Sequence, residues 1–232
     1  MTTNYAGKNT AMTMRRAMLG SALSGLVLLG CSIGAAADVV VKPTGVTASL
    51  ETYQAATKTI DASGLALDVI TGDAVPAQWP THDVAQNTMW LAQSTTLTIT
   101  FDLGDKYAIS GFHLWNENEA GLGTPCRRSA KDAVLSSSLT GAGGSYTAAL
   151  FSPTPLVGAP GDAGYRGDDY TLTGLVTARY LQFDISSIYN DSLGGFSEIR
   201  FVGTLVPEPT TLALLGLGIA GLRVRRPRAN RG

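Results

Sequence analysis

Thr95-Thr96-Leu97-Thr98-Ile99-Thr100-Phe101-Asp102-Leu103 alternates polar and apolar residues almost without a break. Successive side chains of an extended chain point to opposite faces. Leu97, Ile99, Phe101 and Leu103 therefore share one face, and Thr96, Thr98, Thr100 and Asp102 the other. Such a segment is a strand with one buried side. Working outward, Gly104-Asp105 reads as a turn and residues 108–115 as a second strand. Residues 133–139 are a third, and 141–145 a hairpin turn before a strand at 146–151. Residues 152–167, rich in Pro and Gly, read as a long surface loop. Strands at 170–175, 179–185 and 199–202 close the series, with Leu181, Phe183 and Ile185 facing the core. Long apolar stripes of period 3.6 are missing. The pattern predicts one all-β sandwich or barrel domain with no internal repeat.

Both ends of the chain have a different composition. Arg15 and Arg16 precede an apolar run at 18–30, and Ala35-Ala36-Ala37 stands before Asp38. Basic, apolar and small residues in that order read as a secretory signal peptide over residues 1–37. A rival reading takes Leu28-Leu29-Gly30-Cys31 as a lipoprotein signal with Cys31 lipidated. Cleavage after Ala37 would leave Cys126 as the single thiol, without a disulfide framework or paired-cysteine zinc spacing. The formal net charge is −1 for 232 residues, but 8 of the 17 Lys and Arg lie in the two ends. Residues 38–205 hold 9 Lys and Arg against 17 Asp and Glu, a balance near −8. Nucleic acid, which needs clustered cations, is a poor partner for such a surface.

The far end reads Val206-Pro207-Glu208-Pro209-Thr210-Thr211, then an apolar run over 212–222, then Arg223-Val224-Arg225-Arg226-Pro227-Arg228. Pro207 and Pro209 fix φ and disfavour helix before each ring, so the motif stays extended. The apolar run is shorter than the ~18 residues of a comfortable membrane span, and the arginines hold its end on the cytoplasmic side. This tail resembles the bacterial PEP-CTERM sorting signal, with Pro207, Glu208 and Pro209 as its motif and residues 205–232 as its extent. The resemblance implies recognition by an exosortase, a membrane transpeptidase-like cysteine protease. Transient anchoring in the inner membrane is followed by delivery to the cell surface or exopolysaccharide matrix. An ordinary single-span anchor is the alternative.

A second resemblance covers roughly residues 61–203. Asn87-Thr88-Met89-Trp90 precedes the strand ending Phe101-Asp102-Leu103-Gly104. Ile109-Ser110-Gly111-Phe112-His113-Leu114-Trp115-Asn116 follows. Ala178-Arg179-Tyr180-Leu181-Gln182-Phe183 and Phe196-Ser197-Glu198-Ile199-Arg200-Phe201 come later. The series resembles the discoidin, or coagulation factor 5/8 C-terminal, domain of the galactose-binding-like superfamily. That resemblance implies a jelly-roll sandwich at residues 38–204 that binds glycans or lipid headgroups without catalysis. It also implies one structural calcium, with Asp83, Thr88 and Glu198 in matching positions. This chain departs from the family's Asp-Gly-Asp at Asp83-Val84-Ala85. Without a metal, Asp83 and Thr88 would cap a turn.

The residues themselves suggest where a sugar would sit. His113 and Trp115 alternate with Phe112 and Leu114, so one pair faces inward and the other outward. An outward Trp115 stacks on a sugar ring, Asn116 bonds its hydroxyls, and Arg127, with Arg128, closes the pocket with fork donors. The alternative packs Trp115 under the loop. Trp79 and Tyr165 are weaker candidates of the same kind, and Trp90 is a core residue. Catalytic signatures are thin. There is no G-x-S-x-G, Cys126 has no partner base, Asp168-Asp169 reads as a solvated acid pair, and Gly141-Ala142-Gly143-Gly144 lacks the Lys of a phosphate loop. The expectation is an exported, non-catalytic binding module for carbohydrate such as exopolysaccharide. A structural matrix protein is the second reading and a glycan-active enzyme or accessory the third.

Overall fold

The computed structural model describes residues 37–207 and Gly216. The expected signal peptide up to residue 36, Cys31 included, lies outside the described residues. So do Glu208, Pro209 and, Gly216 apart, the rest of the expected tail.

Nine strands make up the fold: β1 (Val39–Val41), β2 (Gly45–Ala48), β3 (Trp90–Ala92), β4 (Leu97–Asn116), β5 (Ala133–Ser138), β6 (Thr147–Ala149), β7 (Phe151–Ser152), β8 (Asp168–Ile185) and β9 (Gly194–Leu205). The helical turns between them, Ala56–Thr59 and Gln86–Thr88, are single 3-10 turns. The main sheet path runs β1-β9-β4-β8-β5-β6, with β2 on β4, β3 on β9 and β7 on β8. Every strand pairing is antiparallel.

β4 and β8 are long because each belongs to two layers. Across their ladder Phe112 faces Tyr170, and Phe183 faces Ile99. In a flat sheet those two pairs would stand about 40 Å apart at ~3.3 Å per residue. The rings of Phe112 and Phe183 are instead 5.2 Å apart, centroid to centroid. The sheet is therefore doubled over on itself into a sandwich of the jelly-roll kind. One layer holds β2, residues 97–102 of β4, residues 180–185 of β8, β5 and β6. The other holds residues 107–116 of β4, residues 168–178 of β8, β9 and β1.

The fold-over falls at Gly104. Its φ of 85° is open to glycine and strained for most other residues. Here the register of β4 on β8 slips between Asp102 and Tyr107. Gly104-Asp105 is thus a corner inside one continuous strand and not the end of it, which corrects the expected turn. The Asp102 carboxylate accepts the Gly104 N–H at 2.8 Å and the Arg179 fork at 2.9 and 3.0 Å, stapling the corner to β8. The expected strands at 170–175 and 179–185 are likewise the two ends of β8.

Leu97, Ile99, Phe101, Leu103, Leu181, Phe183 and Ile185 are all buried in the main core, as their alternation requires, and so is Trp90. A second, smaller core lies on the outer face of the β9–β4 layer. There Val69 and Trp79, from the segment between the two helical turns, pack with Val40, Trp115, Cys126, Ala159 and Tyr165. That segment roofs a sheet face that the strand pattern alone leaves open.

Candidate binding site

Alternation along β4 does place His113 and Trp115 on the face opposite Phe112 and Leu114. The roof then covers them. His113 is 2% exposed and Trp115 0%. The expectation of an outward Trp115 platform is corrected. Its indole Nε1–H donates to the Pro80 carbonyl at 3.0 Å, and its ring meets Trp79 edge-on at 5.6 Å.

Asn116 is also fully buried and works as a brace. Its Nδ2 donates to the carbonyls of Ala130 and Val157, both at 2.8 Å. Its Oδ1 accepts the N–H groups of Glu117 and Ala130 at 3.0 and 2.9 Å. Asn118 repeats the device, tying Asp83 and Asp162 carbonyls to the N–H groups of Gly161 and Asp162. Two amides thereby fasten three loops that share no secondary structure. Arg127 is the one member of the expected sugar site that reaches solvent, with half its side chain exposed, and it pairs with Asp191 at 2.8 Å. Arg128 pairs with Glu119 and Asp191. The four expected residues therefore do not converge on one open pocket.

The calcium set divides in the same way. Thr88 Oγ1 donates to Asp83 Oδ1 at 2.7 Å, and the Ala85 N–H donates to the same oxygen at 3.1 Å, so the pair caps its own turn. Glu198 is fully buried with both oxygens engaged: Oε1 by the Arg200 guanidinium, Oε2 by the Ala62 N–H at 3.0 Å. Among the described residues no three His, Cys, Asp or Glu side chains converge as metal ligands. A cation needs free oxygens in a common shell, and a guanidinium already holds Glu198, so the residues as placed do not fit calcium.

What the roof does build is a held carboxylate. Trp79 stacks on His113 with centroids 4.2 Å apart and planes 16° from parallel. Trp79 Nε1–H donates to Asp169 Oδ1 at 3.0 Å, and His113 Nδ1 lies 2.7 Å from the same oxygen. On the other side His113 Nε2 lies 2.7 Å from the Arg166 carbonyl, while Arg166 Nη1 donates to the Trp79 carbonyl at 2.6 Å. Both ring nitrogens of His113 thus face acceptors. Gly167 makes the approach possible: its φ is 77°, and a Cβ there would collide with the His113 ring.

Asp169 itself points outward, its side chain 74% exposed. The hydrogen bond from His113 holds its carboxyl below the usual carboxylate range, against the opposing effect of partial burial. It stands at a groove of about 380 Å3 with Gly111 in its lining, Asp38 and Ser110 as further polar groups, and Val75 and Pro76 from the roof. Ser110 Oγ–H donates to the Asp38 carboxylate. Among the described residues no Lys, Arg or His lines this groove.

Behind the loops lies a second polar cluster. The Cys126 thiol donates to Glu117 Oε2 at 2.6 Å, both groups buried. Burial pushes the thiol up to about 12, overriding Arg127 and Arg128 nearby in sequence, and leaves it a poor nucleophile. Tyr165 donates to Asp168 Oδ2 at 3.0 Å and accepts the Asn116 N–H at 3.2 Å. Asp168 and Asp169, adjacent in sequence, therefore serve separate networks.

An all-β sandwich with a roofed, acidic groove is the class of molecule so defined. Its C-terminal address is specific: residues 205–228 match the family model described as the PEP-CTERM protein-sorting motif. No curated protein sequence matches the chain. Among solved structures, truncated AlyQ with CBM32 and alginate lyase domains matches at 17% identity, with a TM-score of 0.44, over 74% of this chain and 35% of that one. The family 32 CBM from C. perfringens NanJ, in complex with galactose, matches at 10% identity and a TM-score of 0.46, over 71% and 98%. A fucolectin from striped bass serum, Morone saxatilis, matches at 14% and 0.47, over 73% and 49%. The chain thus spans about a third of AlyQ and half of the fucolectin.

Proposed function

We propose that the protein is exported, sorted to the cell surface by an exosortase, and there acts as a non-catalytic carbohydrate-binding module. The sorting motif at 205–228 supports the address. The groove beneath the roof supports the binding role, and the observation that carries it is Asp169. A buried His113 and a buried Trp79 hold one carboxylate oxygen, which leaves the other without a partner among the described residues. Sugar recognition needs fixed planar polar groups beside apolar wall, and Asp169, Asp38 and Ser110 beside Val75 and Pro76 provide both. His113 acts from behind as a positioning residue. Exopolysaccharide is the natural ligand class for a protein delivered to that layer.

The experiment is to purify the exported protein and probe it against a glycan array and the producer's own exopolysaccharide. Saturable binding weakened by Asp169→Ala supports the reading. Absence of binding to every glycan leaves a structural matrix role in its place. Replacing Glu208 and Pro209 with Ala should retain the unprocessed chain in the inner membrane; normal release with an unchanged C-terminal mass rules out exosortase sorting.

A further inference from the structure

We infer that the groove selects a glycan bearing free amines, a polymer or oligomer of de-acetylated amino sugar, over neutral and uronic-acid glycans. The inference rests on the groove being the carbohydrate site, and it adds the charge class of the ligand. Three features of the groove point the same way. Its polar lining carries two carboxylates and, among the described residues, no cationic side chain, so its side chains favour a cationic sugar over an anionic one. The carboxylate of Asp169 is built and not incidental. Its Oδ1 is taken by His113 and Trp79, and Oδ2, without a described donor, remains for a ligand. The lining also includes the hydroxyl of Ser110, the small Gly111 and the apolar Val75 and Pro76, which suit the body of a pyranose.

An ammonium group on that ring would form a charge-assisted bond to Asp169 Oδ2, stronger than a hydroxyl can make. Acetylation removes the charge and adds bulk at the same atom. The surplus of acids over residues 38–205 works in the same sense at longer range, raising the local concentration of a polycation. Asp169 carries the larger share, because Asp38 stands at the expected new terminus of the processed chain.

The test is calorimetric titration of the exported protein with three probes: a glucosamine oligomer, its fully N-acetylated counterpart and a polygalacturonate oligomer. The glucosamine oligomer should bind at least tenfold more tightly than either other probe and weaken as salt is raised. Asp169→Asn, which keeps shape and the contact to Trp79, should cost tenfold or more in affinity while the domain stays folded. Equal binding of the N-acetylated oligomer, preference for the uronate, or glucosamine binding untouched by Asp169→Asn and Asp38→Asn would each overturn the charge assignment. A neutral glycan that binds this groove as tightly as the glucosamine oligomer would overturn it too while leaving the carbohydrate module intact. Loss of the module itself would show as no binding to any glycan in the array.

Discussion

The guanidinium of Arg200 closes on the carboxylate of Glu198, two residues away along β9, with both side chains fully buried. Arg200 spends its remaining donors on the carbonyls of Val69 and Ile199, each at 2.7 Å, and on Asp68 at 2.8 Å. Asp68 in turn meets Lys42. A line of alternating charge therefore pins the roof segment to β9 and to the chain just after β1.

Breaking that line from one end leaves a buried charge without its partner. Glu198→Gln should lower stability by about 3 kcal/mol or more, read by urea denaturation. Because a guanidinium already holds Glu198, EDTA and added calcium should leave the wild-type melting temperature where it was. A calcium-dependent rise would mean that the ion displaces Arg200.

Trp115→Ala removes a fully buried ring from beneath the roof. The expected loss is about 3–5 kcal/mol, with Trp79 freed from its edge contact. Thermal melting decides the matter: a variant that folds like wild type would place Trp115 outside the core.

Asn116→Ala and Asn116→Asp separate packing from hydrogen bonding. The alanine leaves four backbone groups of the loops without their partner, each costing about 1–3 kcal/mol if it stays dry. The aspartate can still accept from Glu117 and Ala130 but cannot donate to Ala130 and Val157. Both should destabilise the loops first, seen as faster amide exchange at Glu117 and Ala130 before any change in the strands.

Glu117 sets a pH dependence. Burial raises its carboxyl from 4.5 to about 7, with the Cys126 thiol opposing. The folded chain then keeps a proton that the unfolded chain releases. Stability should fall as pH rises from about 4.5 to about 7, by up to about 1.4 kcal/mol per pH unit for this group, and level off above. Glu117→Gln should flatten the profile of melting temperature against pH; an unchanged slope would assign it to other groups.

The parts of the fold legible in the sequence are those governed by neighbours two residues away. Alternation at Leu97, Ile99, Phe101 and Leu103 identified the core face, and at His113 and Trp115 it identified the opposite face. It could not show that the opposite face is covered. The covering segment has no period of its own and is held from afar, by Arg200 to Asp68 and by the His82 N–H to the Tyr165 carbonyl. Gly104 read as a stop because glycine and aspartate favour turns, yet Arg179, distant in sequence, carries the ladder round the corner through Asp102. Asp169 read as a solvated acid for a like reason: its orienting partners, His113 and Trp79, lie 56 and 90 residues away.

The direction of β9 sets which pole of the sandwich the described chain leaves from. The strand runs from the loop cluster at Gly194 to the corner at Leu205, where the Val206 N–H is fastened to the Lys106 carbonyl at 2.9 Å. Twelve extended residues span roughly 40 Å. A tail leaving after Val206 therefore departs from the pole opposite Asn116 and its braced loops. The groove lies on the flank between these two poles.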